Sequence, residues 1–371
     1  LLTQATMATR GWADDKVKST VDRSTELLEK LDPESKHRVP TLWFLFTYHH
    51  VACNRRAART VAREVNEIAE RRGDRSLAVA AAALLGVATH ADGDHLAARE
   101  ALERAVRLHD PASDLDHGPR FGLDSLVLAK TLLGHHQWHR GEDEEAFRLV
   151  ADALDWARET RHVPSIAIGL LYGCQVHQFA GDKATVAAMT GEILGLAAKY
   201  GLPAYEGYAA TMHDWAVGDG ERAQEIIRRL ARTGSKASLS YFGSLAAERL
   251  AERGRLDVAI ESIESCLRLC TENEEHLYEP ELHRRLGTYL MQHVPPRTEQ
   301  ARAAFEQAAD RARRYDMPRT EVAARCELID RFHSGDEDRA RVRDLITLHP
   351  GLGRSERSKT PGASKWTCPT S

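Results

Sequence analysis

Apolar positions along this chain recur at helical spacing, and the alternation that marks a strand is nowhere sustained. The apolar stretches come in pairs. Short turns carrying Gly, Asp or Asn separate them: "CNRR" at Cys53, "ADGD" at Ala91, "RGED" at Arg140, "AGDK" at Ala180, "VGDG" at Val217 and "RGRL" at Arg253. Glycine reaches the left-handed conformation that ends a helix, and an acid after it favours the next N-terminus. "RGEDEEAF" has both halves: Gly141 stops one helix, and Asp143, Glu144 and Glu145 favour the start of the next. From Gly93 to Gly141, Gly181, Gly220 and Gly254 the intervals are 48, 40, 39 and 34 residues, in the range of helical repeats.

The pairs also share an internal spacing. Gly86, preceded by Leu85, is followed by Ala98, Leu102 and Ala105; Gly134, preceded by Leu133, is followed by Ala146, Val150 and Ala153 at the same intervals. Ala246-Ala247 leads to Ala259, Ile263 and Cys266. Leu286-Gly287 leads to Ala301, Phe305 and Ala308, with the turn lengthened around Pro295-Pro296. A small residue on the first helix lets a small residue on the second approach, and the large apolar residue fills the gap to the next pair. The unit around Cys174 to Ile193 lacks the expected small residues.

This spacing resembles the tetratricopeptide repeat, which implies an all-α, right-handed superhelical solenoid of antiparallel helix pairs. The array covers residues 1–350, about eight pairs with the first incomplete and the last capping. From Gly351 the tail, 351–371, is polar and aperiodic and reads as disordered. Five stretches extend the likeness: "MATRGWADDKVKSTVDRSTELLEKL", "WFLFTYHHVACNRRAARTVAREVNEIAERRGD", "ALERAVRLHDP", "LAKTLLGHHQWHRGEDEEA" and "LYEPELHRRLGTYLM" with "ARAAFEQAADRARR". In this order, over roughly Thr3 to Phe332, they look like the C-terminal tetratricopeptide region of large bacterial signalling proteins. Those proteins join an adenylate/guanylate cyclase or Ser/Thr kinase domain to a predicted signal-transduction ATPase. The resemblance implies a cytoplasmic, non-catalytic sensing or scaffolding segment and carries no catalytic residue onto this chain. The start at Leu1, mid-pattern, suggests a fragment of something longer.

Composition narrows the picture little further. Hydrophobic residues make up 42% and charged residues 29%, a foldable balance; aromatics are 6%, which favours helix over sheet. A net charge of −4 gives no basic excess for nucleic acid or an anionic membrane. Cys53, Cys174, Cys266, Cys270, Cys326 and Cys368 form no CxxC pair, so reduced thiols are expected. "SLAVAAAALLGVATHA" is too short and alanine-rich for a membrane span.

The search for chemistry finds no phosphate-binding loop, nucleophile elbow or H-E-x-x-H; "GDGERA" at Gly218 lacks a preceding strand. The 18 histidines call for a metal test. His49-His50, His135-His136-His139 and His293 are the visible candidates. His135 and His139 share a helical face, but a closed site needs further ligands, so no metal and no cofactor is expected. The resemblance implies a groove instead. The residue after the small glycine, and those three and four further on, face the concave side in such arrays. Carried over, these are His135, Trp138 and His139, flanked by Val87 and His90, by Gln175, Gln178 and Phe179, and by Met212 and Trp215. The groove would hold an extended protein or peptide partner. The expected function is a non-catalytic interaction and regulatory segment; the alternative is a small-molecule-sensing repeat domain, which a closed apolar pocket would favour.

Overall fold

The structure, a computed structural model, describes residues 15–218, 220–232 and 234–355. A leading helix, α1 (Asp15–Lys30), packs on α2 (Arg38–Val51), which pairs with α3 (Arg55–Arg72). The second pair is α4 (Arg75–Ala91) with α5 (His95–Leu108). A short helix, α6 (His117–Phe121), lies in an insert before the third pair, α7 (Ser125–His139) with α8 (Asp143–Thr160). The next are α9 (Val163–Phe179) with α10 (Lys183–Tyr200), α11 (Pro203–Val217) with α12 (Glu221–Arg232), and α13 (Leu239–Glu252) with α14 (Leu256–Glu272). The seventh and eighth are α15 (Glu279–Gln292) with α16 (Thr298–Arg314), and α17 (Pro318–Phe332) with α18 (Asp336–Leu348); the short α19 (Leu352–Ser355) follows. No strand occurs among the described residues. The architecture is an all-α solenoid of antiparallel helix pairs, as the apolar pattern predicts.

Local chemistry explains the boundaries. Asp74, Asp94, Asp124 and Asp182 accept backbone N–H bonds at the starts of α4, α5, α7 and α10, and prolines occupy the first turns of α9, α11, α15 and α17. Gly93, Gly141, Gly181 and Gly254 hold positive φ in the turns. At "RGED" the expected acid cap is electrostatic only: Glu142 makes no capping bond, while Asp143 to Glu145 fill the first turn.

The small-residue contacts are as close as the spacing implies. A Cβ on Gly86 would come 2.4 Å from Leu102 Cδ2, one on Gly134 3.1 Å from the Ala146 carbonyl oxygen, and one on Gly287 2.8 Å from the Phe305 ring. Ala98, Leu102, Ala105, Ala146, Ala153, Ala259, Phe305 and Ala308 are fully buried. The unit around Cys174 is not an exception, contrary to the sequence reading. Its small residue is Gly173, which approaches Val150 of the preceding pair and Met189 of its own. The 48-residue interval before Gly141 is explained by the α6 insert, tied down by Arg75 and His117 on Asp114 and by Trp156 Nε1 donating to Asp124.

The solenoid coils tightly enough to meet itself. Backbone N–H groups of Lys236 and Ala237, entering the sixth pair, donate to the Val51 carbonyl of the first, at 2.9 and 3.0 Å. Gly93 of the second pair lies against His276 and Leu277 before the seventh. Arg319 of the eighth pair donates to the Trp138 carbonyl of the third at 2.7 Å, stacks on the Trp138 ring 4.0 Å away, and pairs with Asp143. Each of these pairs thus rests on the pair five places later. Buried Arg55 and Glu275, 3.0 Å apart, lock the same seam; Ser238 N and Ser240 Oγ also donate to Glu275.

The first residues of the expected tail are packed on the array. Leu352 is buried against Gly141, and Gly351 sits so close to the Gly141 carbonyl that a Cβ has no room. Beyond residue 355 the tail, with Cys368, lies outside the described residues, as does the chain before residue 15.

Candidate functional site

The residues expected to line the groove do come together, but in an interior. Val87, His90, His135, Trp138, Gln175, Gln178, Met212 and Trp215 are buried, and His139 and Phe179 keep only partial exposure. The cause is the coil's pitch: side chains of pairs two, three and five places on cover them. The Tyr278 hydroxyl donates to Gln175 Oε1 at 3.3 Å, and Tyr241 to Gln178 Oε1 at 3.0 Å. Phe179 lies edge-on to Tyr241, its ring centre 6.0 Å away. Trp215 is among the largest fully buried side chains and belongs to the same core cluster as Trp138, Tyr241 and Tyr278.

At the ends of α4 and α7, five histidines form one buried cluster. His136 Nε2 lies 3.2 Å from His90 Nδ1, and His136 Nδ1 lies 2.9 Å from His95 Nδ1. A neutral imidazole has one donor and one acceptor, so His136 donates to one neighbour and accepts from the other. His135 Nε2 donates to the Tyr172 carbonyl at 2.8 Å, which leaves Nδ1 as a bare lone pair without a partner. His95 Nε2 and His139 Nδ1 are likewise buried and unpaired. Burial holds all five neutral: His95 is pushed down to about 3, His135 to about 4, and His90, His136 and His139 well below their ordinary value. For His90, His95, His136 and His139 the neighbouring groups, chiefly the other histidines of the cluster, with His50 and Arg319, disfavour positive charge further, whereas the Tyr172 carbonyl partly offsets burial at His135. Among the described residues no group of three or more His, Cys, Asp or Glu side chains is arranged to hold a metal ion. His293 stands apart near the surface, 2.9 Å from Asp257, and His49 lies beside Asn54.

Above the cluster, the first helices of six successive pairs surround a chamber that the sequence reading did not single out. Trp43, Phe46, Thr47 and His50 come from α2, Leu84 and Val87 from α4, Leu128 from α7, Tyr172 from α9, Tyr205 and Tyr208 from α11, and Phe242 from α13. This inner space is about 90 Å³ and adjoins an outer cavity of about 330 Å³. Both share Trp43, Thr47, Leu123, Ala204 and Tyr205 as walls. The insert supplies Gly118, Pro119 and Gly122 to the outer cavity, and the starts of α9 and α11 supply His162, Pro164, Leu202 and Pro203. Pro119, Gly122 and Pro203 are exposed, so the mouth faces solvent there. The overlooked signal was the aromatic run "WFLFTYHH": it reads as one buried helix, yet it spans one wall of the chamber from mouth to floor.

The five described cysteines are free thiols. Cys266 and Cys270 share a buried face of α14, and burial raises both thiols. No described helix is long and apolar enough to cross a membrane.

Helix pairs stacked side by side, each resting on its neighbours, define the chain as a helical-repeat protein. Neither a known family nor a curated protein matches it. One solved structure aligned to it is a "circular tandem repeat protein with novel repeat topology and enhanced subunit contact surfaces", at 14% identity over 92% of this chain and 91% of that one, with a TM-score of 0.21. A score that low carries no argument, and the assignment rests on the helix pairs themselves.

Proposed function

We propose that this chain is a non-catalytic, protein-binding regulatory segment. It serves as the sensing part of a cytoplasmic bacterial signalling protein whose output lies in attached ATPase and cyclase or kinase domains. The helical-repeat architecture is compatible with protein interaction, and the resemblance of its repeats supplies the signalling context. The observation that supports regulation is the seam between pairs five places apart. It is made of few contacts, several of them polar: Arg319 on Trp138 and Asp143, Arg140 near Asp316, and Val51 with Lys236 and Ala237. A partner that favours the loosened coil gains access to the inner wall, with His90, His135, Trp138, His139, Gln175, Gln178 and Phe179 exposed to it. The state a partner binds better is the state it populates. No nucleic acid or membrane enters this reading.

The test compares wild type, Arg319→Ala and Trp138→Ala in the full-length protein that carries this segment. Arg319→Ala loosens the seam and is expected to raise partner capture and shift cyclase or kinase output. Unchanged capture and unchanged output in both variants would defeat the reading.

A second reading, a small-molecule sensor, is favoured by one observation: the interior holds a partly enclosed aromatic chamber rather than an open groove.

A further inference from the structure

We infer that the paired cavity bounded by Trp43, Thr47, Leu123, Ala204 and Tyr205 is a binding site for a neutral aromatic molecule carrying a hydrogen-bond acceptor. The inference deepens the small-molecule reading and stands independently of any protein partner. Size comes first. The outer cavity alone, about 330 Å³, is within the range of ligand pockets, and the inner chamber extends it toward the coil axis.

Charge decides the ligand's character. Neither lining includes Asp, Glu, Lys or Arg. An ionised ligand would lose its hydration with no countercharge to replace it, at a cost far above what a small apolar contact returns. The inner walls instead carry six rings, Trp43, Phe46, Tyr172, Tyr205, Tyr208 and Phe242, set among aliphatic side chains. Such walls favour a flat ring system through offset and edge contacts.

Three polar atoms fix the orientation. At the mouth, His162 Nδ1 lies 2.8 Å from Ser165 Oγ, which itself accepts from Asp124 N at 2.8 Å. Ser165 is fully buried, so its one hydroxyl proton must go to His162 Nδ1; accepting from the ring instead would leave that proton unbonded. His162 therefore carries its own proton on Nε2. Burial keeps the ring neutral by lowering its pKa. Trp43 Nε1, a donor only, lies in the shared wall close to Gly122. Neither donor has a protein partner among the described residues. Two donors and no carboxylate at one mouth suit a carbonyl or ether oxygen. At the inner end, His50 Nδ1 is buried and unpaired in a floor of mostly apolar side chains, its ring stacked on Phe46. A buried unpaired nitrogen costs on the order of 1–3 kcal/mol, and a ligand's polar group or a water carried with it would relieve that.

Prodan, a neutral naphthalene ketone whose emission shifts blue on leaving water, tests this with the full chain. Anilinonaphthalene sulfonate is the anionic counterpart of similar size. Single-site prodan binding with blue-shifted emission is expected, with the sulfonate weaker by about tenfold or more. Ala204→Phe and Thr47→Met fill the shared wall from two helices, and each is expected to weaken prodan by about tenfold or more. Far-UV circular dichroism identifies any variant that fails to fold, and the other then decides. Trp43→Phe keeps the ring and removes the donor; it should weaken prodan several-fold and leave plain naphthalene unchanged. Prodan binding that survives both filled variants, or sulfonate binding as tight as prodan, overturns the assignment.

Discussion

Acidifying the protein from about pH 7.5 to about pH 5.5 should strip stability from it through the five-histidine cluster. In the unfolded chain each of His90, His95, His135, His136 and His139 titrates near 6.5. In the fold burial holds them lower, to about 3 for His95 and about 4 for His135. The unfolded state therefore binds more protons throughout the interval between the folded values and 6.5. Stability rises with pH across that interval and is lost as pH falls below 6.5. For a ring that stays neutral in the fold, passing from one unit above 6.5 to one unit below costs about 1.4 kcal/mol. Five rings give about 7 kcal/mol, an upper bound, because the first proton taken up by the linked His90–His136–His95 chain changes the others. Typical domain stabilities are about 5–15 kcal/mol, so the effect is decisive rather than marginal.

Urea unfolding followed by circular dichroism at about pH 7.5, 6.5 and 5.5 measures it. His109, His117 and His283 are also lowered by burial and act in the same direction. The cluster is isolated by difference, using His90→Leu/His136→Leu, which should flatten the pH dependence by about 2.7 kcal/mol over the same span. Carboxylates held low by pairing, such as Asp114 and Glu281 at about 2, lose their contribution only below about pH 5 and leave the window clear. A wild-type stability that changes by less than about 1 kcal/mol between the two extremes, or cluster rings that titrate near 6.5 in the folded protein, would refute the reasoning.

Glu275→Gln should destabilise by about 3–5 kcal/mol, because it leaves Arg55 charged and buried without its counterion; denaturant midpoints report it. Glycine-to-alanine changes should differ in sign by position. Gly134→Ala drives a Cβ toward the Ala146 carbonyl and should cost about 1–3 kcal/mol, whereas exposed Gly191→Ala and Gly195→Ala on α10, with open space around them, should each gain about 0.5–1 kcal/mol in thermal or urea melts.

Most of the fold was legible because it is local. Helix ends are written in Asp caps and turn glycines. Pair contacts are written in the distance from Gly86 to Ala98 and from Gly134 to Ala146, since close approach demands small residues at both ends. Gly173 was missed because the positions matching Ala98 and Ala105 hold Thr185 and Glu192 in its unit, although Met189 stands where Leu102 and Val150 stand in theirs. Of the residues read as a groove wall, His135, Gln175 and Gln178 are buried, the two glutamines against tyrosines of later pairs.

What the local pattern does not encode is how far the coil turns. Pitch accumulates from small rotations at each interface, and no single repeat carries a mark of the pair five places on. An open spiral and a closed one share the same inward face, so residues read as a groove wall can equally be a core. The distinguishing signal lay in composition along that face. Tyr241 and Tyr278 on later pairs match Gln178 and Gln175 on the fourth, and Arg55 and Glu275 are opposite charges whose side chains are both almost fully buried. An inner face so rich in aromatic rings and bare imidazoles is unfavourable in water and becomes favourable once a second wall covers it. The same closure leaves the aromatic chamber where α2 meets α11 and α13, because bulky rings from four helices and aliphatic side chains from two more converge on an axis they cannot fill.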